Sequence, residues 1–419
     1  MENVEETKQT EKLRATNHYA FYPSEEKNIP AYLAYGFRPV FLLLAPYMII
    51  SILLWGLVYG GVVNIPFMND TLTWHIYEML FGILTAGVLA FLTTGLPELF
   101  PGMVPFVGKK LWYIMALWLA GRISFWLIDI TGIYLPAVLN ITMLLWIIWF
   151  AKDAVLDKLQ RHASLAYALV AILVVEVWFF ASKLGYSSAD PIAILKVALG
   201  FIVILLLLAL RRVNMESVNE LLEDENIDDI YISRPPVTNL AIFAVLVFTV
   251  VEYLYPTNSA LGWIGLSCGA AIFAITADYI LKDKFILNQP FVLYLASIFI
   301  LLGSGYALMG WDILNDDVYG VNHFRHFITT GGIGLSYFMV MLIIGTVHTG
   351  RILTANFYTH TMVLLIIAAT LMRGLIPFYE EYIMELYMWS SIVFIIPFMM
   401  YIKLIFPYLV KSRADGIKG

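Results

Sequence analysis

The chemistry-bearing residues of this 419-residue chain are histidines, seven of them against one cysteine, Cys268. A lone thiol excludes disulfides, a four-cysteine iron–sulfur cluster, a C-x-x-C-H haem attachment site and a thiolate zinc finger. Any metal or haem must then be held mainly by His, Met, Tyr or carboxylate. In "TWHIYEMLFG" His75 and Glu78 stand three positions apart at the edge of a long apolar run, and "NHFRHF" sets His323 and His326 three apart at the start of another. Residues three apart share a helix face, so each pair can turn inward together. If the two helices are neighbours, they make a constellation of three imidazoles and a carboxylate. Neutral imidazole ligates haem iron and copper. Met79 follows His75 one turn deeper and reads as core packing in a chain with 17 methionines. "HIYEM" lacks the second histidine of the H-E-x-x-H zinc-protease pattern.

A second group sits elsewhere. His348, in "GTVHTGR", lies 22 residues beyond His326, about 33 Å along a helix, so one haem cannot bridge them. His360 follows the turn around Gly350 and is expected to approach His348. Arg38 in "GFRPVF" and Arg351 in "HTGRIL" flank this second site, where forked hydrogen bonds suit haem propionates. His18 and His162 fall in charged, solvated stretches.

The elements that position these residues are membrane spans. With 61% hydrophobic residues, 13% charged residues and a mean hydropathy of +0.81, the chain is an all-α integral membrane protein. A window suited to a hydrocarbon core of about 30 Å gives twelve spans. They are 40–62, 74–96, 111–130, 132–151, 164–185, 190–210, 237–256, 260–281, 290–310, 324–347, 354–375 and 383–407. An even count puts both termini on one side, and most of the 25 basic residues fall in the tails and even-numbered loops. The positive-inside rule makes that side cytoplasmic. His75, His323 and His326 then lie at the outer face, and His348 and His360 at the inner face.

The resulting organisation is a cytoplasmic N-terminal tail (1–37), a six-helix half (38–210), an acidic cytoplasmic linker (211–236), a second six-helix half (237–408) and a cytoplasmic C-terminal tail (409–419). The N-terminal tail has no apolar core of a secretory signal peptide, so the first span is expected to do the targeting. Seven acidic residues between Glu216 and Asp229 read as a solvated linker. Nothing in the charge pattern points to nucleic acid.

Arg122, in "WLAGRISFW", is expected near the middle of the third span, where an arginine costs several kcal/mol and needs a partner. Glu176 of the fifth span is the nearest candidate in depth. A structural ion pair and a contact to an anion or propionate are both open. Lys196 lies nearer the outer edge, where its stem can snorkel.

Four segments together, "YGFRPVFLLLAP", "WHIYEMLFGILTAGVLAFLTTGLP", "LWLAGRISFW" and "RHFITTGGIGLSYFMVMLIIGTVHTGR", resemble in order the signature segments of the NnrS family. The resemblance implies a twelve-span bacterial inner-membrane protein containing haem and copper, associated with denitrification and tolerance of nitric oxide. The expected cofactor is a non-covalent haem b, with copper as a second candidate. The expected partners are nitric oxide or a related gas, membrane lipid and an electron donor. The family pattern reads W-H-x-H-E-M where this chain has Tyr77 in place of the second histidine, so a site needing both turns on whether Tyr77 or another residue substitutes. His75, Glu78, His326, His348, Gly350 and Arg351 match, while Ile343 stands where the family tends to have arginine.

The site reading assigns His75, His323, His326 and His348 to metal, and adds His360, Arg351, Arg38 and Arg122 as cofactor contacts. Glu78 orients an imidazole or accepts a proton. Turnover of nitric oxide, as an oxidoreductase, is one functional outcome. A respiratory enzyme resembling haem-copper oxidases is another, although the sixth and seventh spans lack the histidines of a copper site. A secondary transporter is a third, for which sites usually lie at mid-membrane.

Overall fold

Inside hydrocarbon no water satisfies backbone N–H and C=O groups, so apolar runs of this length must close their hydrogen bonds internally as helices. The computed structural model describes residues 29–65, 69–99, 105–155, 163–224, 226–281 and 286–416, and the described residues form helices and no strand. His18, His162 and most of the N-terminal tail lie outside the described residues.

Eleven helices among the described residues are long and apolar enough to cross a membrane. In chain order they are α1 (Phe37–Tyr59), α2 (Thr71–Pro97), α4 (Tyr134–Lys152), α5 (Ser164–Lys183), α6 (Pro191–Glu223), α7 (Pro235–Leu254), α8 (Ala260–Tyr279), α9 (Pro290–Leu314), α10 (Val321–Val347), α11 (Phe357–Gly374) and α12 (Ile383–Leu404). The third expected span is the 19-residue helix α3, Gly108–Trp126, whose polarity comes from Lys109, Lys110 and Arg122. The fold is therefore an all-α multi-pass membrane bundle.

Local chemistry sets several of the starts. Asp70 caps α2 by accepting from the Thr73 backbone N–H at 3.2 Å. Asn356 caps α11 in a reciprocal box with Thr359, and Pro235 and Pro236 open α7 where no intrahelical donor is needed.

The linker expected at 211–236 is only partly a linker. The helix of α6 continues to Asp224, 34 residues or about 50 Å, so it overshoots any hydrocarbon layer. Asn219 on that extension then exchanges hydrogen bonds with the backbone of Tyr231, at 2.8 and 3.1 Å, folding the following segment back onto the helix.

Long-range polar contacts at the helix ends respect the expected alternation. Lys183 at the end of α5 pairs with Asp70 before α2 at 3.0 Å. Arg325 at the start of α10 pairs with Glu252 at the end of α7. At the other end, the Phe37 N–H of α1 donates to Thr94 near the end of α2 at 2.9 Å.

Two helices lie inside the bundle. The apolar windows of α2 and α10 are 78% and 72% buried, against at most 56% for the other apolar spans. They approach at Gly87, where an added Cβ would stand 2.3 Å from the Tyr337 ring. Both are interrupted by a π-helical segment, Glu78–Gly82 in α2 and Phe327–Ile333 in α10. The first begins three residues after His75 and the second directly after His326, and π turns recur at functional sites.

Candidate functional site

The contact between α2 and α10 brings His75, His323 and His326 to one cavity of about 480 Å³, within the range of small-molecule sites. Ile52, Met79, Leu199, Ile333 and Phe394 supply apolar wall. The convergence expected from spacing and topology is therefore present. Trp55 of α1 lies on the His75 ring, with centroids 4.0 Å apart and planes 4° from parallel. Nδ1 of His75 is buried without a hydrogen-bond partner.

The three imidazoles are not equivalent. Nδ1 of His326 lies 2.9 Å from the Asn322 carbonyl, so it carries the proton and donates, leaving the Nε2 lone pair available for a metal. Nδ1 of His323 lies 3.2 Å from a nitrogen of Arg373, which can only donate. His323 therefore accepts at Nδ1, and its neutral ring carries the proton on Nε2 as a donor. A ring in that tautomer offers no nitrogen to a metal. Among the described residues no three His, Cys, Asp or Glu side chains converge to hold a metal ion, which corrects the expected three-imidazole and carboxylate cluster.

Glu78 does not face this cavity. Tyr47 donates to it, and Arg122 reaches both its oxygens at 3.0 Å. Arg122 also donates to Asn140 of α4. All three of Glu78, Arg122 and Asn140 are at most 3% exposed. The ion pair of Arg122 is thus with Glu78, not with Glu176, and Arg122 sits one turn from the end of α3 rather than at its middle. The expectation that Glu78 orients His75 fails for a geometric reason. On an inner helix every direction is packed, and three residues at 100° each leave a 60° offset, enough to reach different neighbours. The close packing needs Gly82, where a Cβ would meet Glu78, Tyr47 and Arg122 within 2.9 Å.

Tyr77 is buried among Phe125, Phe179 and Phe81, and its hydroxyl donates to Glu176 of α5 at 2.7 Å. Its ring also lies beneath the Arg122 guanidinium at 5.7 Å, so it packs against the Glu78–Arg122 pair, and it does not line the cavity. Trp55, Tyr47, Asn140 and Arg373 were all missed by spacing arguments. Only Arg373 left a signal, as one of the few basic residues on the expected outer side.

At the opposite end, the expected second site is differently employed. Arg38 is fully buried and donates to the carbonyls of Tyr408, Leu409 and Lys411 at 3.2, 3.0 and 2.8 Å. Arg351 lies over the Tyr408 ring at 4.1 Å and donates to the Thr349 carbonyl. Gly350, at φ 73°, makes the turn in which Thr349 accepts from Ala414, a conformation that favours glycine. These arginines fasten the C-terminal segment rather than stand ready for propionates. His348 packs edge-on to Tyr35 and Phe37, and His360 is exposed and bonded to Tyr294.

The profile of one protein family, described as "NnrS protein", matches residues 31–413. No curated protein and no solved structure matches the chain.

Proposed function

Because the chain belongs to the NnrS family, we propose that this multi-pass membrane protein binds haem b in the cavity between α2 and α10, and there interacts with nitric oxide or nitrosylated iron in protection against nitrosative stress. The single observation that carries this reading is His326, whose Nδ1 is committed to a carbonyl while its Nε2 is left for a ligand in an apolar cavity of about 480 Å³.

The residues fit a haem. The walls are largely apolar, one imidazole has the tautomer of a metal ligand, and a second, His75, has an unpartnered buried ring nitrogen. They do not fit a copper ion on three histidines, because His323 is turned into a donor by Arg373. Haem bound here would supply an iron centre able to bind a diatomic gas or carry an electron. His326 would hold the iron through its free Nε2, and His75, held flat by Trp55, would stand beside it as a second ring on the cavity. His323 would add a polar N–H to the cavity wall, where polarity bears on how a bound gas is treated.

The test is an optical spectrum of the detergent-purified protein in oxidised and reduced states, with and without nitric oxide. His326→Ala is expected to abolish or strongly shift the haem band, and His348→Ala to leave it unchanged. Absence of a haem band in every redox state would overturn the reading and put a transport function first.

A further inference from the structure

Three cationic side chains face the cavity: Lys196 of α6, Arg325 of α10 and Arg373 of α11. Arg325 forks onto both oxygens of Glu252, with the pair 10–11% exposed, so its charge is cancelled. Among the described residues no carboxylate lines the cavity, and none pairs with Lys196 or Arg373. Two uncompensated cations beside an apolar cavity are costly, and in membrane bundles such residues pair with something or line a pathway.

We infer that Arg373 and Lys196 form a subsite for an anionic two-oxygen group, with the Nε2–H of His323 as a third donor. Arg373 is fixed before any guest arrives. Its guanidinium lies over the Tyr387 ring at 4.3 Å, and one of its nitrogens donates to His323. A guanidinium has five N–H donors in a rigid fork, so most remain for a carboxylate-shaped ligand. Lys196 adds a compact second charge on a flexible stem. Pre-orientation of the fork lowers the entropy lost on binding.

Two sources carry such a group. One is a propionate of a porphyrin in the same cavity, which rests on the haem reading above. The other is a free monoanion such as nitrite or formate, whose bent pair of oxygens has the shape of a carboxylate, and this source is independent of haem.

The test uses the full chain in detergent, as wild type, Lys196→Gln, Arg373→Gln and Arg373→Lys, with Arg212→Gln as a control on the α6 extension. In one arm nitrite and formate are titrated calorimetrically. In the other, haem is compared with its dimethyl ester for binding and retention. A free-anion guest predicts measurable binding to wild type and to the control, about tenfold weaker in either Gln variant, the loss of one charge-assisted hydrogen bond, with Arg373→Lys intermediate. A propionate guest predicts a silent first arm and an ester held about tenfold more weakly than haem by wild type, with the gap closing in Arg373→Gln and Lys196→Gln. If neither arm shows binding that depends on Arg373 or Lys196, the subsite is overturned. Should Arg373→Gln fail to fold, Lys196→Gln and Arg373→Lys decide. Anion binding without any haem band would retain the subsite and sink the haem reading, while a haem band with both arms silent would do the reverse.

Discussion

The indole of Trp55 lies flat on the imidazole of His75, 4.0 Å away and 4° from parallel, so the ring on α2 is oriented by a residue of α1. A stacked aromatic pair is worth about 0.5–1.5 kcal/mol beyond its burial. Trp55→Ala is expected to lower thermal stability by more than that, because a large side chain is also removed, and to broaden any spectral signature of the cavity. Trp55→Phe keeps a ring face on His75 and should restore most of both. Equal behaviour of the two variants, in melting and in absorption, would show that the stack has no orienting role.

The Glu78 and Arg122 pair is sealed from solvent, and breaking such a pair from one side leaves a buried uncompensated charge. Arg122→Ala and Glu78→Ala should each cost about 3–5 kcal/mol in denaturant unfolding. The double replacement should cost clearly less than the sum, since neither charge is then orphaned. Additive losses would mean that the two side chains do not depend on each other.

Gly87 is a close approach of the two inner helices. Gly87→Ala places a methyl group against the Tyr337 ring and is expected to destabilise the protein by about 1–3 kcal/mol. Adding Tyr337→Ala should recover part of that loss in a melting experiment. If it recovers none, the helices meet elsewhere.

Asp70 precedes the first turn of α2 and binds Lys183 and the Thr73 N–H. Burial acts to raise its carboxyl, but the bonds from Lys183 and Thr73 outweigh it and hold the group below its ordinary value of 3.8. A carboxyl lowered by folding stabilises above its unfolded value, and that contribution is lost as pH falls through the lowered one. Asp70→Asn should therefore reduce stability by at most about 1 kcal/mol at neutral pH, because the pair is half exposed. The gap between the two melting points should close only below about pH 4. A gap that closes near pH 6 would contradict this assignment.

The residues that the sequence could bring together were those governed by simple repeats. His323 and His326 share a face because three residues nearly complete a turn. They meet His75 because alternating spans return the starts of the second and tenth to one side. Glu78 obeyed the same spacing as His323 and still turned to other partners, because the choice among neighbours belongs to packing and not to period. The aromatic and cationic members of the cavity, Trp55, Tyr387 and Arg373, come from helices far apart in the chain, and their only local mark was an arginine on the side poor in positive charge. Arg38 and Arg351 looked like anion binders because an arginine fork suits carboxylates and backbone carbonyls alike. The length of α6 was underestimated because hydropathy measures what fits hydrocarbon, and that helix continues into water.

Arg38 lies in the first turn of the first span, and its acceptors are 370 to 373 residues away. At roughly 5–20 residues per second, synthesis of that stretch occupies about 20–70 s. Throughout that interval the guanidinium lacks these acceptors and must be satisfied by other groups or by water. Its exchange onto the carbonyls of Tyr408, Leu409 and Lys411 can occur only when the last of them leaves the ribosome. Chains arrested earlier lack these three carbonyls and cannot form the clasp, so the first helix is fastened only after the last has been made.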